Sequence, residues 1–93
     1  MIRSFRDKRT ATLFTGQPVK GVATDLARAA RRKLQRLDQA RSLADLAAFP
    51  GNRLERLRGD RAGQHSTRVN DQWRICFRWR DGDALDVWFG DYH

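Results

Sequence analysis

The sequence predicts an α+β fold, with helices in the N-terminal half packed on an antiparallel sheet from the C-terminal half. Three observations lead there. Residues 73–80 alternate strictly, with Trp73, Ile75, Phe77 and Trp79 on one side and Arg74, Cys76, Arg78 and Arg80 on the other. Such a period of two marks a strand with one buried face. Asp81-Gly82-Asp83 follows and supplies the positive-φ positions of a tight turn, after which Leu85, Val87 and Phe89 alternate with Asp86 and Trp88. The helical signal lies elsewhere: Leu26, Ala29, Ala30, Leu34 and Leu37 make one apolar stripe at helical spacing.

In chain order, Ile2 to Phe5 is apolar at alternate positions and is expected to form a short edge strand. Asp7 begins a short helix that runs to Phe14, where Leu13 and Phe14 give it something to bury. Gly16, Pro18 and Gly21 make 15–22 a loop. The main helix is expected over Thr24 to Ala40, with Thr24 as its cap and Asp25 in the first turn, where the helix dipole favours negative charge. A third helix is expected over Ser42 to Phe49, with Ser42 and Asp45 at the two positions of a capping box and Pro50-Gly51 as its stop. Residues 52–58, although ambiguous in period, are read as a strand. Gly59 to Gly63 is a loop, His65 to Val69 a strand, and Asn70-Asp71-Gln72 a turn into the final hairpin.

Two hairpin registers compete. A two-residue loop at Asp81-Gly82 sets Arg78 opposite Leu85 and Phe77 opposite Asp86. A three-residue loop pairs Trp79 with Leu85, Phe77 with Val87 and Ile75 with Phe89, and sets Arg78 across from Asp86. The hydrophobic pattern favours the three-residue loop, because a one-residue slip exchanges the faces. Continued, that register puts Tyr92 on the face of Arg74, Cys76 and Arg78. If Val69 pairs with Trp73, Arg68 joins the same face. That arginine-rich face is either a surface for an anion or a set of long side chains splayed into water.

At 93 residues the chain is long enough for a single domain, residues 1–93, with one modest core. Nineteen basic residues against eleven acidic leave +8, and sixteen of the nineteen are arginine. A rigid guanidinium fork suits phosphate, so an anionic partner is favoured, with nucleic acid first and a membrane surface second. One cysteine, Cys76, permits neither an internal disulfide nor a cysteine-rich zinc site, which fits a cytoplasmic protein. The first residues lack the apolar core of a signal peptide, and no apolar run approaches the roughly 20 residues of a membrane span. Metal-ligand spacing and a Gly-rich nucleotide loop are both absent, so no cofactor or metal is expected.

The order of motifs is itself recognisable. A basic helix precedes Leu54-x-x-Leu57-Arg58-Gly59-Asp60-Arg61-x-Gly63. Asn70-x-Gln72-Trp73-Arg74-Ile75-Cys76-Phe77 follows, and then Gly90-Asp91-Tyr92-His93. Together with the opening Ile2 to Asp7, this resembles the HigB-type toxins of the RelE superfamily across essentially the whole chain. The resemblance implies a RelE-like two-layer microbial RNase fold and the toxin of a type II toxin–antitoxin pair. It implies cleavage of messenger RNA in the ribosomal A site without a metal, through attack of the ribose 2′-hydroxyl on the adjacent phosphate. It also implies a helix-turn-helix antitoxin of the HigA type as partner, with operator DNA reached only through that antitoxin, and no membrane.

Carried over position by position, the candidate catalytic residues are Arg74, Asp91, Tyr92 and His93. Some relatives place a histidine in the strand before the Gly-Asp-Arg loop, where this chain has Glu55; either Glu55 takes that role or the C-terminal residues suffice. The chemistry agrees with the location. Attack by a 2′-hydroxyl needs a proton acceptor, a proton donor for the leaving 5′-oxygen, and positive charge on the phosphate. A histidine side chain ordinarily titrates near neutrality unless its surroundings shift it, so His93 can serve as base or acid; Tyr92 can hydrogen-bond or stack on a base, Asp91 can orient the histidine or an arginine, and Arg74 can fork onto the phosphate. Arg56, Arg58, Arg68 and Arg78 are candidate RNA or phosphate contacts. Arg28, Arg31, Arg32 and Arg36, on the outer face of the main helix, are either ribosome contacts or an ordinary solvated face. His65 falls on the Phe77 side and is read as structural. The alternative function is a non-catalytic nucleic-acid- or ribosome-binding module with a basic sheet face.

Overall fold

The structure, a computed structural model, describes residues 1–91. The positions expected of Tyr92 and His93 lie outside the described residues. The elements are α1 (Lys8–Thr15), α2 (Thr24–Gln39), α3 (Leu43–Ala47), β1 (Glu55–Arg56), β2 (His65–Arg68), β3 (Arg74–Arg80) and β4 (Asp83–Gly90). Single 3-10 turns lie at Pro50–Asn52 and Gly59–Arg61. The four strands form one antiparallel sheet in the order β1-β2-β3-β4.

The helix starts obey local chemistry. Asp7 caps α1, its carboxylate accepting from the Thr10 amide at 2.8 Å. Ser42 and Asp45 make the expected capping box of α3. The cap of α2 differs from expectation: Ala23 occupies the N-cap and Thr24 is already helical, so no side chain caps that end. Asp25 in the first turn still faces the positive end of the dipole.

One layer of the core comes from the sheet and one from the helices. Ile75, Phe77, Ala84, Val87 and Phe89 are buried against Leu13 of α1, Ala30, Leu34 and Leu37 of α2, and Leu46 of α3. Each fully buried aliphatic side chain contributes roughly 1.5–3 kcal/mol, so this layer contact holds the sheet to the helices. Trp73 stacks almost flat on Phe89, with ring centroids 4.8 Å apart, and seals one end of the core.

The hairpin register corrects the expectation in part. Ile75 pairs with Phe89 as expected, but nearer the turn Arg78 pairs with Leu85 and Trp79 with Ala84. The turn is the two-residue one, with positive φ at both Asp81 and Gly82, as a type I′ turn demands. A bulge reconciles the two ends: Asp86 and Val87 together face Phe77, and Asp86 takes φ +53°. Ala84, not Leu85, therefore fills the core position beside Trp79, and Leu85 is only half-buried on the other face.

Two further expectations need correction. Of the strand expected over 52–58 only Glu55–Arg56 is extended and paired, because Pro50–Asn52 and Gly59–Arg61 curl at either side. Ile2 and Phe5 form isolated parallel bridges to Ala84 and Val87 rather than a full strand. The outer edge of β4 is nevertheless filled. Met1 and Ser4 carbonyls accept from the Ala84 and Val87 amides, and the Ser4 hydroxyl accepts from the Asp86 amide. Thr10 Oγ1 accepts from the Phe89 amide at 3.0 Å, and Arg9 donates to the Phe89 carbonyl at 2.7 Å. No helix among the described residues is long and apolar enough to cross a membrane.

Candidate active site

Helices cover one face of the sheet and leave the other face for the candidate residues. Cross-strand partners share a face, so three rungs can be read directly. Glu55, Ser66, Cys76 and Trp88 form one rung; Arg68, Arg74 and Gly90 form the next, and Arg78 and Leu85 lie toward the hairpin turn. The expected pairing of Arg68 with Arg74 is present, and like charges sit directly opposite.

The two arginines have different partners. The Arg68 guanidinium donates to the Asp71 carboxylate, while Arg74 donates to the Asn70 carbonyl and to the Trp73 carbonyl. Asn70 organises this turn a second way, its side-chain oxygen accepting from the amides of Gln72 at 2.9 Å and Trp73 at 2.7 Å. Gln72 then donates to the Asp91 carboxylate at 3.0 Å. The Asn70–Gln72 turn thus joins Arg68, Arg74 and Asp91, three residues expected at the site, into one cluster. Glu55 shares their face one rung along and is exposed.

The other candidates are distributed more widely. Arg56 alternates with Glu55 and pairs with His65, so it points from the opposite side of β1. Arg58 is exposed at the entry to the Gly59–Arg61 turn. Arg28, Arg31, Arg32 and Arg36 are all exposed on α2, in the helical layer and away from the arginine rung. Arg31 donates to the Phe14 carbonyl at 3.3 Å, and Arg36 lies 4.7 Å over the Phe49 ring. His65 stacks on Phe77 with centroids 5.8 Å apart, as its strand parity requires. Burial, helped by nearby Arg56, holds its imidazole below the ordinary value.

Sequence reasoning missed a second part of this face. The loop that carries Gly59–Arg61 folds back over the sheet, and Arg61 lies 4.6 Å over the Trp88 ring. Arg6 reaches the same indole at 5.2 Å. Cys76 and Ser66 are therefore buried although they sit on the helix-free face. Burial pushes the Cys76 thiol up to about 11, against the opposing pull of Arg61, Arg6 and Arg74. Beside this cover is a cavity of about 490 Å³ lined by Arg6, Asp60, Arg61, Gln64, Arg78 and Asp86. The strand alternation does place Trp88 on this face, but no local signal brings Arg6 there. That placement needs the N-terminal segment to dock on β4. Among the described residues no group of three His, Cys, Asp or Glu side chains is arranged to hold a metal.

Helices on one face of a four-stranded antiparallel sheet and an arginine rung on the other define a two-layer α+β protein with a basic open face. The fold superposes on a chain of the YoeB-YefM complex from Staphylococcus aureus with a TM-score of 0.58, covering 100% of this chain and 98% of that one at 13% identity. The sequence narrows the class. Residues 3–93 match the family described as the RelE-like toxin of the type II toxin–antitoxin system HigB, and the chain belongs to that family. Its relatives include Endoribonuclease HigB of Proteus vulgaris, 35% identical over 97 residues that cover all of both chains. Toxin HigB-1 of Vibrio cholerae is 49% identical over 57 residues, which span 61% of this chain and 60% of that protein.

Proposed function

We propose that this chain is an endoribonuclease toxin that cleaves messenger RNA in the ribosomal A site by attack of a ribose 2′-hydroxyl on the adjacent phosphate. The observation that carries the reading is the Arg68–Arg74 rung with Asp91 tied to it through Gln72. Two facing guanidiniums repel each other unless an anion lies between or above them, and a phosphate gaining charge in the transition state is such an anion. Arg74 takes the phosphate, and Asp91 positions its C-terminal neighbours. His93 moves the proton at the 2′-oxygen or the 5′-oxygen, and Tyr92 stacks or hydrogen-bonds on a base. Glu55, on the same face, stands where some relatives place a histidine. Arg68 and Arg78 hold the RNA backbone.

The same reading gives the partners. They are the ribosome with its messenger RNA and a helix-turn-helix antitoxin, through which operator DNA is reached, all in the cytoplasm. No metal or cofactor takes part. The Proteus vulgaris relative is named an endoribonuclease, which supports the reaction class. The resemblance of the Trp73-Arg74 strand and of Asp91-Tyr92-His93 supports the site.

The test is cleavage on programmed ribosomes by wild type, His93→Ala and Arg74→Gln, with ribosome binding measured alongside. Expected is A-site cleavage by wild type and a loss of roughly 10²–10⁴-fold in each variant, with binding largely kept. Wild-type protein that binds ribosomes without cutting any message overturns the enzyme and favours a non-catalytic binding module.

A further inference from the structure

We propose that the cavity at the hairpin end of the helix-free face is a second RNA subsite, in which Arg6, Arg61 and Arg78 grip a phosphodiester group other than the scissile one. The inference rests on the reading of this face as the RNA face.

Three guanidiniums converge there from separate elements: the N-terminal segment, the loop after β1, and β3. Two of them lie over the Trp88 indole. The ring, 5.2 Å from the Arg6 guanidinium and 4.6 Å from that of Arg61, gives both a common platform at the edge of the cavity. Arg78 is held more loosely. Its ion pair with Asp86 spans 3.8 Å between two exposed side chains, a pairing that contributes little and is readily exchanged for a phosphate. Gly63 makes room for this arginine, since a Cβ there would lie 2.9 Å from Arg78 Nη1.

The cavity lies on the same sheet face as the Arg68–Arg74 rung. Trp88 lies against Gly90, the cross-strand partner of Arg74. Along β3, Arg74 and Arg78 are four residues apart, roughly 13 Å at strand rise. One phosphate does not reach both, but successive groups of one strand do. Asp60 and Asp86 on the rim temper the positive charge.

The experiment measures binding of a short single-stranded RNA carrying a 2′-deoxy substitution at the cleavage position, by fluorescence anisotropy across a salt series. Arg6→Gln with Arg61→Gln is expected to weaken binding about tenfold or more and to lower the salt slope by about 0.7 for each phosphate no longer held. Asp86→Asn is expected to act in the opposite sense and tighten binding, since it frees Arg78 and keeps a residue that tolerates positive φ. A misfolded protein would not bind more tightly. Unchanged affinity and slope in the double variant, or weaker binding in Asp86→Asn, would overturn the subsite. Cleavage on programmed ribosomes tests the enzyme reading separately. An inactive wild type sinks that reading, while the salt slopes still decide the subsite.

Discussion

A Cβ on Gly90 would lie 2.1 Å from Cζ2 of the Trp88 indole, so the ring occupies the space that any other residue at position 90 would claim. The constraint is one of contact, since Gly90 is absent from the positive-φ positions. Gly90→Ala is expected to push the indole off the sheet at a cost of about 1–3 kcal/mol. It also removes the platform under Arg6 and Arg61. Urea unfolding reads the first effect and RNA affinity the second. An alanine variant as stable as wild type, with unchanged affinity, contradicts this picture.

Thr10 is buried, and its hydroxyl accepts from the Phe89 amide. Thr10→Val keeps the shape but strands a buried N–H, which costs about 1–3 kcal/mol. Thr10→Ser keeps the acceptor and loses one methyl, worth roughly 0.8 kcal/mol. Denaturant midpoints should rank wild type above serine and serine above valine.

His65 makes stability depend on pH. Its folded pKa is lowered, first by burial and then by Arg56, from an ordinary 6.5. As pH falls through 6.5 the unfolded chain takes the proton first. The contribution of the neutral imidazole is therefore complete above that value and is lost between it and the lower folded pKa. Urea midpoints at about pH 7.5 and about pH 5.5 should differ less for His65→Gln than for wild type. An equal difference would assign the pH dependence to other groups.

Cys76 should be inert in the native protein. Its thiol is fully buried and is raised by that burial to about 11, so little thiolate forms near neutrality. Labelling with a thiol reagent is expected to run at least ~100-fold slower in native buffer than in urea. Fast native labelling would mean that the cover formed by the Gly59–Arg61 loop opens readily.

The parts legible in the sequence are those written locally. Alternation over Trp73 to Arg80 fixes which side chains of β3 face the helices, and the pairing of Arg68 with Arg74 follows from one short turn. The Ser42–Asp45 capping box and the Asp7 cap are readable within four residues. The hairpin is misread near its turn because two rules conflict there, turn geometry at Asp81-Gly82 and hydrophobic pairing further in. The bulge at Asp86 satisfies both, and a pattern argument that slides whole strands does not contain it. The residues that meet across the fold are out of reach of local patterns. Arg6 and Trp88 are 82 positions apart, and their contact depends on the N-terminal segment finding β4. Gln72 reads in the sequence only as part of a turn, and its bond to Asp91 needs the sheet assembled.

The sealed outer edge of β4 has a consequence for how the protein comes into being. Its partners are Met1, Ser4, Arg9 and Thr10, all made before any strand of the sheet, while β4 itself emerges from the translating ribosome after β1, β2 and β3. Contacts spanning some 80 positions are the slowest to close, because loop entropy must be met before they stabilise anything. The N-terminal segment and α1 therefore wait on a strand not yet synthesised, and the arginine rung lacks its third member until Gly90 arrives. A nascent chain of this protein lacks the completed sheet, and with it the assembled arginine rung, for nearly the whole length of its own message.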